Sequence, residues 1–246
     1  MDDRPDVKNL RLATVGAACA LGMVACFLVG VVLMVSSGVQ VLIPEAGGAD
    51  ARDWIADVAD AGTAFDVGAW LTILGGFFGI VALIGFADAL KEAGPAVRLA
   101  PLLGAVGLTL VTISHLLPIA MAHELVPDFV DAGVAGKASI STTFDLLATS
   151  SLFLNTAGNA LGWAVVIPLL GVAILKTRVV GHWIGWLALF VGLTGGWIGL
   201  FSAVWSPLEA ASFPGFIGFF VFMASMGVSL LRRSREDVPA AVTASG

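Results

Sequence analysis

Charged side chains are scarce in this chain: Asp, Glu, Lys and Arg together make up 12% of its 246 residues. Soluble domains usually carry about 25% charged residues and roughly 45–50% apolar residues, whereas 58% of this chain is apolar. So little charge cannot cover a water-soluble body of this size, which excludes a soluble globular enzyme. The formal net charge of −6 also argues against nucleic acid as a partner, because binding to nucleic acid requires clustered Lys and Arg.

Cysteine and histidine are rare, and tyrosine is missing altogether. Cys19 and Cys26 lie seven positions apart on one predicted helix, roughly 10 Å along the axis, which is too far for a mutual disulfide. The three histidines, His115, His123 and His182, fall at different depths of the predicted spans. They offer no pair for a haem, and we expect no cofactor.

Long apolar runs are what the chain has in abundance, with a mean hydropathy of +0.98. A helix that crosses the hydrocarbon needs about 20 mostly apolar residues, because lipid offers no partner for backbone polar groups. Six stretches meet this condition and predict an all-α protein with one six-helix transmembrane domain over residues 12–231. The spans cover about 12–37, 67–87, 99–122, 146–175, 180–204 and 210–231.

The distribution of basic residues predicts the orientation of the spans, since short cytoplasmic loops carry an excess of Lys and Arg. Ten of the twelve basic residues fall on the side that holds both termini, and only Arg52 and Lys137 fall on the other side. This places residues 1–11 and a disordered tail, 232–246, in the cytoplasm. We expect a multi-pass protein of the cytoplasmic (inner) membrane, with the bilayer as its main partner.

Two longer segments lie on the predicted outer side, residues 38–65 and 124–144, and are called the outer segments below. In the first, Trp54, Ile55 and Val58 recur at helical spacing opposite several aspartates, which predicts a short amphipathic helix near 50–61 with glycines as breakers at both ends. This helix is interpreted either as an interfacial anchor or as a lid over a cavity that opens outward. The second segment predicts a turn or a short helix.

Polar residues inside the spans are the main indicators of function, because each costs free energy unless it is paired or hydrated. No Asp, Glu, Lys or Arg lies in the middle of a span, which argues against a proton-driven pump. The neutral polar residues predict a cup in the outer half of the bundle, or else a network of hydrogen bonds between helices without a cavity. They are Ser114, His115, Asn155, Asn159 and Thr194.

A metal site at the outer surface is the alternative that would make the protein an enzyme. Its candidate ligands are His123, Glu124 and Asp128, joined by Asp66 or Asp145. Their spacing matches no known ligand signature.

Pairs of glycines four residues apart let helix backbones approach closely in lipid. Such pairs predict close packing inside the bundle, and alternatively the interface of a homodimer or the docking face of another membrane protein. They are Gly75 with Gly79, Gly158 with Gly162, Gly192 with Gly196, and Gly195 with Gly199.

The basic turn before the fifth span, residues 176–186, combines Lys176 and Arg178 with Trp183 and Trp186 on one helix face. It resembles the corresponding turn in a group of small bacterial and archaeal six-span membrane proteins that is carried as a domain of unknown function. The similarity in layout covers residues 8–232, although His182 stands where that group more often has proline. The resemblance implies the fold and no catalytic residues.

The sequence therefore predicts a six-span helical bundle with both termini inside. The leading functional hypothesis is a non-enzymatic protein whose outward-facing polar cup binds a small molecule or lets it permeate. The metal-dependent enzyme and the structural partner of another membrane protein are the alternatives.

Overall fold

A computed structural model describes residues 7–202 and 205–243 of the chain, and within these ranges it contains helices and no strand. Nine α-helices follow one another in the described part. They are α1 (Val7–Ser36), α2 (Gly48–Ala89), α3 (Ala100–Ala120), α4 (Val126–Asp131), α5 (Val134–Asn159), α6 (Ile167–Thr177), α7 (His182–Val191), α8 (Gly199–Ser202) and α9 (Glu209–Thr243). The all-α class predicted from the sequence is confirmed.

Six helical stretches in the described residues are long and apolar enough to cross a membrane, which confirms the predicted number of spans. Several extend well past the apolar run into the outer segments, because amphipathic turns continue the helix beyond the bilayer-length core. The six are Leu12–Ser36, Ala51–Ala89, Pro95–Asp131, Val134–Thr177, His182–Ser202 and Ala210–Ser234.

The chain divides into two compact units, where the sequence predicts a single domain over 12–231. Unit 1 comprises residues 1–24, 77–108 and 159–246, and unit 2 comprises residues 25–76 and 109–158. Unit 2 contains both outer segments, which supply it with a core of their own.

The core of unit 2 is built around the predicted amphipathic helix, which forms the first part of α2. Trp54, Ile55 and Val58 are buried, as predicted, while Asp57 and Asp60 on the opposite side are exposed. The buried face packs against residues of the protein itself, which leaves it no apolar side for anchoring in the bilayer interface. The partners in this core include Met34, Val39, Phe65, Ile119, Met121, Val126, Phe144 and Ala148.

Glycines set both ends of this amphipathic helix. Gly47 precedes it with a positive φ of 82°, and Gly62 interrupts α2 with φ 57° and ψ −153°. Residues with a side chain rarely adopt these backbone angles, because Cβ then crowds the backbone. The predicted breakers are thus confirmed, but α2 bends at Gly62 and continues into the second span instead of ending there.

In unit 1, helices approach each other closely at glycines. A Cβ built on Gly16 of α1 would lie 2.6 Å from Cα of Gly85 on α2, and one on Gly171 of α6 would lie 2.9 Å from the carbonyl oxygen of Gly185 on α7. Only residues without a side chain allow backbones this close. Glycine contacts between helices therefore hold the packing of unit 1, as expected for helices in lipid.

Two wide π-helical turns each end two positions before a proline. Met121–Leu125 comes before Pro127, and Ala160–Val166 comes before Pro168. A proline has no N–H to donate, and its ring clashes with the carbonyl four residues earlier, which here lies inside the wide turn. The wider turn relieves that clash and lets the helical rod continue, so α5 reaches through the turn into α6 as one span.

The C-terminal segment differs from the sequence prediction. α9 continues to Thr243, so most of the tail predicted to be disordered, 232–246, is helical. Arg, Glu and Ala in this stretch are good helix formers, which extends the helix past the apolar core. The last three residues of that tail, and the first six of the predicted cytoplasmic segment 1–11, lie outside the described residues.

Candidate functional site

A pocket of about 400 Å³ opens in unit 2 between the outer segments. It is called the outer pocket, and its walls combine apolar and charged side chains. Its lining includes Arg52, Ile55, Phe129, Lys137, Phe144 and Asp145.

Helical spacing brings the polar groups of the pocket together. Lys137, Ser141 and Asp145 follow one another at intervals of four on α5, which places them on one face of that helix. On α2, Ala51 and Ile55 stand one turn apart and face the same space. The pocket is therefore the gap between one face of α5 and the first turns of α2, and α4 contributes Phe129.

Asp145 ties the start of α2 to α5. Its Oδ1 accepts a hydrogen bond of 2.8 Å from the backbone N–H of Gly47. The first N–H groups of a helix have no partner within the helix, and a carboxylate next to them is stabilising. One oxygen of this carboxylate therefore fixes the wall of the pocket.

Aromatic side chains form the floor and one edge of the pocket. Phe144 is 1% exposed, and its ring lies 5.6 Å from that of Trp54, whose indole Nε1–H donates a 3.0 Å hydrogen bond to the carbonyl of Val41. At the edge, the ammonium of Lys137 sits 5.2 Å from the centre of the Phe129 ring, within the range of a cation–π contact. Neighbouring side chains thus hold both the apolar floor and one of the cations.

Of the predicted cup residues, Ser114 is fully buried and its hydroxyl donates to the carbonyl of Val111 on its own helix. The carbonyl of Ser114 accepts a 2.6 Å hydrogen bond from Ser151 of α5. His115 is partly exposed, and its ring contacts Phe27 of α1 edge to face at 6.5 Å. These contacts join α3 to α5 and to α1 within unit 2.

The remaining cup residues are divided between the two units. Asn155 belongs to unit 2, whereas Asn159 and Thr194 belong to unit 1. The hydroxyl of Thr194 donates a 2.7 Å hydrogen bond to the carbonyl of Phe190, one turn earlier in the same helical stretch. The hydroxyl of Ser114 in unit 2 and that of Thr194 in unit 1 therefore each donate to a backbone carbonyl of their own helix.

Two of the candidate metal ligands lie together, but the set does not gather into one site. His123 Nε2 lies 3.1 Å from a carboxylate oxygen of Asp66, which links α2 to the wide turn after α3. Glu124 and Asp128 are exposed. Among the residues that the structure describes, no three His, Cys, Asp or Glu side chains are grouped closely enough to hold a metal ion.

Glycines in three of the four predicted seams face other helices of this chain. A Cβ on Gly75 would meet the ring of Phe27, and one on Gly79 would meet Leu108 and Met23. Gly195 lies against Trp163, and Gly196 against the backbone of Ala164. These contacts are the internal packing that the seams predict.

The outer pocket itself was not predicted from the sequence. Its signal was present, because Arg52 and Lys137 are the two exceptions to the basic bias of the predicted inner side. The prediction of a turn or a short helix over residues 124–144 hides this signal. The spacing of Lys137, Ser141 and Asp145 places them on one face only if a helix already begins at Val134.

Comparison with known proteins gives no relative: no family model, no curated protein and no solved structure matches the chain. Function must therefore be argued from the pocket itself.

Proposed function

We propose that this integral membrane protein binds a small molecule in the outer pocket and that it does so without enzymatic chemistry. The observation that carries the proposal is the lining of the pocket, in which buried apolar side chains stand next to two cations and one carboxylate. The position of the pocket between the outer segments supports a ligand that arrives from outside the cell.

Size and composition both support binding. Sites for small molecules are typically about 300–1,000 Å³ and mostly apolar, with a few polar groups that fix the orientation of the ligand. The outer pocket, at about 400 Å³, lies in the lower part of this range. Phe129 and Ala138 supply accessible apolar surface, and Ser141 supplies a hydroxyl that can both donate and accept a hydrogen bond.

The place of the protein in the cell is part of the proposal. The excess of Lys and Arg next to both termini supports insertion into the cytoplasmic membrane, with the outer segments facing outward. The amphipathic first part of α2, which forms one wall of the outer pocket, acts as its lid in this proposal.

A screen of small molecules against two variants tests the binding function. Ala138 lines the pocket, and Ala138→Trp fills part of its volume, whereas Ala135→Trp adds the same side chain at an exposed position of α5 outside the lining. Ligands raise the thermal midpoint of the state they bind. We expect compounds that raise the midpoint of the parent protein and of Ala135→Trp, and that have no effect on Ala138→Trp.

The opposite result has a clear form. If every compound in the screen acts equally on the two tryptophan variants, or none acts on the parent protein, the outer pocket is not a binding site. Size-exclusion chromatography of both variants checks that each is folded before the comparison.

A further inference from the structure

We propose that unit 1 binds the headgroup phosphate of an anionic lipid at its predicted cytoplasmic end, between Arg178 and Arg233. Arg178 begins the turn before α7, residues 178–181, which is called the inner turn below, and Arg233 lies in the last part of α9. The basis is a hydrogen bond between these two parts of the chain, in which Nη1 of Arg233 donates to the carbonyl of Val179 at 2.9 Å. The site lies in unit 1 and does not depend on the outer pocket of unit 2.

The hydrogen bond to Val179 brings the two arginines within reach of one ligand. Because Val179 follows Arg178 in the chain, the bond lengths leave Nη1 of Arg233 at most about 10 Å from the Cα of Arg178. Both arginine side chains are exposed. Arginine has five N–H donors, and the bond to Val179 uses one of those of Arg233. Two guanidinium groups can therefore meet on one phosphate, whose oxygens accept paired hydrogen bonds from arginine.

The backbone of Arg178 indicates that its side chain has a use. Arg178 follows α6 in the left-handed conformation, with φ 56° and ψ 24°, and no other non-glycine residue in the described part of the chain has a positive φ. Glycine is the usual residue at such a helix end, because it has no Cβ. Within the part of the chain whose side chains the structure describes, Arg178 has no carboxylate partner that would account for an arginine here. A ligand of the side chain would account for it.

The charge around the inner turn favours an anion. Residues 176–186 include no Asp or Glu, and residues 229–237 include two, Glu236 and Asp237. Together the two segments hold five Lys and Arg against these two acids. A zwitterionic headgroup carries a cation of its own, which this surplus repels, whereas the phosphate of an anionic lipid neutralises the surplus.

An accessible apolar stripe extends along α7 from the inner turn. Trp183, Trp186 and Phe190 are 57%, 64% and 45% exposed, and their spacing of three and four places them on one face of the helix. The stripe begins at the turn itself, since a Cβ built on Gly181 would lie 3.0 Å from Nε1 of Trp183. A lipid whose phosphate binds the two arginines can therefore lay an acyl chain on exposed rings, and a soluble phosphate would leave these rings uncovered.

Native mass spectrometry of the full-length protein tests the site directly. The probes are phosphatidylglycerol and phosphatidylcholine with the same acyl chains, added in equal amounts. We expect phosphatidylglycerol adducts to exceed phosphatidylcholine adducts by about tenfold in the parent protein. Arg233→Gln should lower this ratio by about fivefold, because it removes one cation while its amide can still donate to Val179.

Lys91→Gln is the matched control. It removes one cation from the same predicted side of the membrane, but the ammonium of Lys91 already has a carboxylate partner, Asp88, at 3.9 Å. The ratio of the two adducts should stay at the parent value. An equal loss in Lys91→Gln and Arg233→Gln would overturn the site, because it would show a general effect of surface charge. Equal adducts of the two lipids on the parent protein would overturn it as well.

Arg178→Gly separates lipid binding from folding. Glycine adopts the left-handed conformation readily, so the thermal midpoint without lipid should equal or exceed that of the parent protein. The adduct ratio should nevertheless fall by about fivefold. Arg178→Lys keeps the charge and should retain most of the preference for phosphatidylglycerol. An unchanged preference in Arg178→Gly would contradict the role assigned to this arginine.

The same arginines could hold the phosphate of a soluble molecule, and competition distinguishes the two sources. Glycerol 3-phosphate carries an anionic head without acyl chains. At a concentration equal to that of the lipid, it should leave the phosphatidylglycerol adducts in place, because it cannot use the stripe on α7. If it displaces the lipid at that concentration, the site is one for soluble phosphates and the lipid assignment is wrong.

Discussion

At the scale of single residues, the outer pocket depends on a few contacts that hold its walls in place. Asp145 is both a lining residue and the partner of the Gly47 N–H, so one side chain contributes to the charge of the pocket and to the start of α2. The ring of Phe129 contacts Lys137, and the ring of Phe144 contacts Trp54. The pocket is therefore preformed by contacts that do not need a ligand.

Replacing Asp145 by asparagine tests this double role. The amide oxygen can still accept from Gly47, but the charge that strengthens the bond is lost, and we expect a decrease in stability of about 1 kcal/mol. Chemical unfolding in detergent measures the change. Asp131→Asn, at the exposed end of α4, is the control and should have no effect. Equal stability of Asp145→Asn and the parent protein would show that the negative charge adds nothing to the bond with Gly47.

At the scale of the helices, glycines decide where a helix bends and how closely two helices approach. Gly62 bends α2 between the amphipathic part and the second span, and a Cβ built there meets no atom within 4 Å. Gly85 has the opposite surroundings, since the backbone of α1 lies against it. The first glycine is needed for its backbone angles, and the second for its lack of a side chain.

Replacing Gly62 by alanine measures the free-energy cost of its backbone angles alone. Positive φ combined with an extended ψ is almost confined to glycine and costs an alanine about 1–3 kcal/mol, although there is room for the methyl group. Gly133→Ala is the matched control, because its surroundings are equally open and no positive φ is found there. We expect a lower thermal midpoint for Gly62→Ala alone. If both variants melt at the same temperature, the bend in α2 does not require glycine.

Replacing Gly85 by alanine measures the free-energy cost of adding a methyl group between α1 and α2. Its methyl group would come within 2.6 Å of Cα of Gly16 and 2.9 Å of the carbonyl oxygen of Leu12, both backbone atoms that cannot rotate away. Overpacking of this kind typically costs about 1–3 kcal/mol. Gly162→Ala, where a Cβ meets nothing within 4 Å, is the comparison and should be neutral or slightly stabilising. A neutral result for Gly85→Ala in unfolding experiments would contradict the close approach of α1 and α2.

At the scale of the whole molecule, the long apolar runs and the scarcity of charge predict the all-α fold and the number of spans. Lipid excludes unpaired backbone groups and charged side chains, so any chain that crosses it shows these two features. The amphipathic helix near 50–61 was equally predictable, since Trp54, Ile55 and Val58 share one face. The division into two units was not, because it depends on how outer residues such as Phe144 and Trp54 pack together. Long-range packing of this kind leaves no periodic signal in the sequence.

The candidate site was predictable only in part, for a related reason. Arg52 and Lys137 could be recognised as exceptional, but their meeting in one pocket requires α5 to begin at Val134. The predicted cup shows the opposite problem, since its sequence signal is clear but its hydroxyls are used for bonds within helices. Ser114 and Thr194 are polar residues in apolar spans, yet their hydroxyls donate to the backbone of their own helices, an arrangement that the sequence cannot distinguish from a cavity lining.

The central claim, an outer pocket open to the outside of the cell, is tested most directly by labelling a single cysteine at position 141. With Cys19 and Cys26 replaced by serine, Ser141→Cys adds one thiol to the pocket lining, and Ser234→Cys adds one at the predicted inner end of the sixth span. A membrane-impermeant maleimide applied to intact cells should label Ser141→Cys at once and Ser234→Cys only after permeabilisation. Protection of Ser141→Cys in intact cells, together with labelling of Ser234→Cys, would contradict the account.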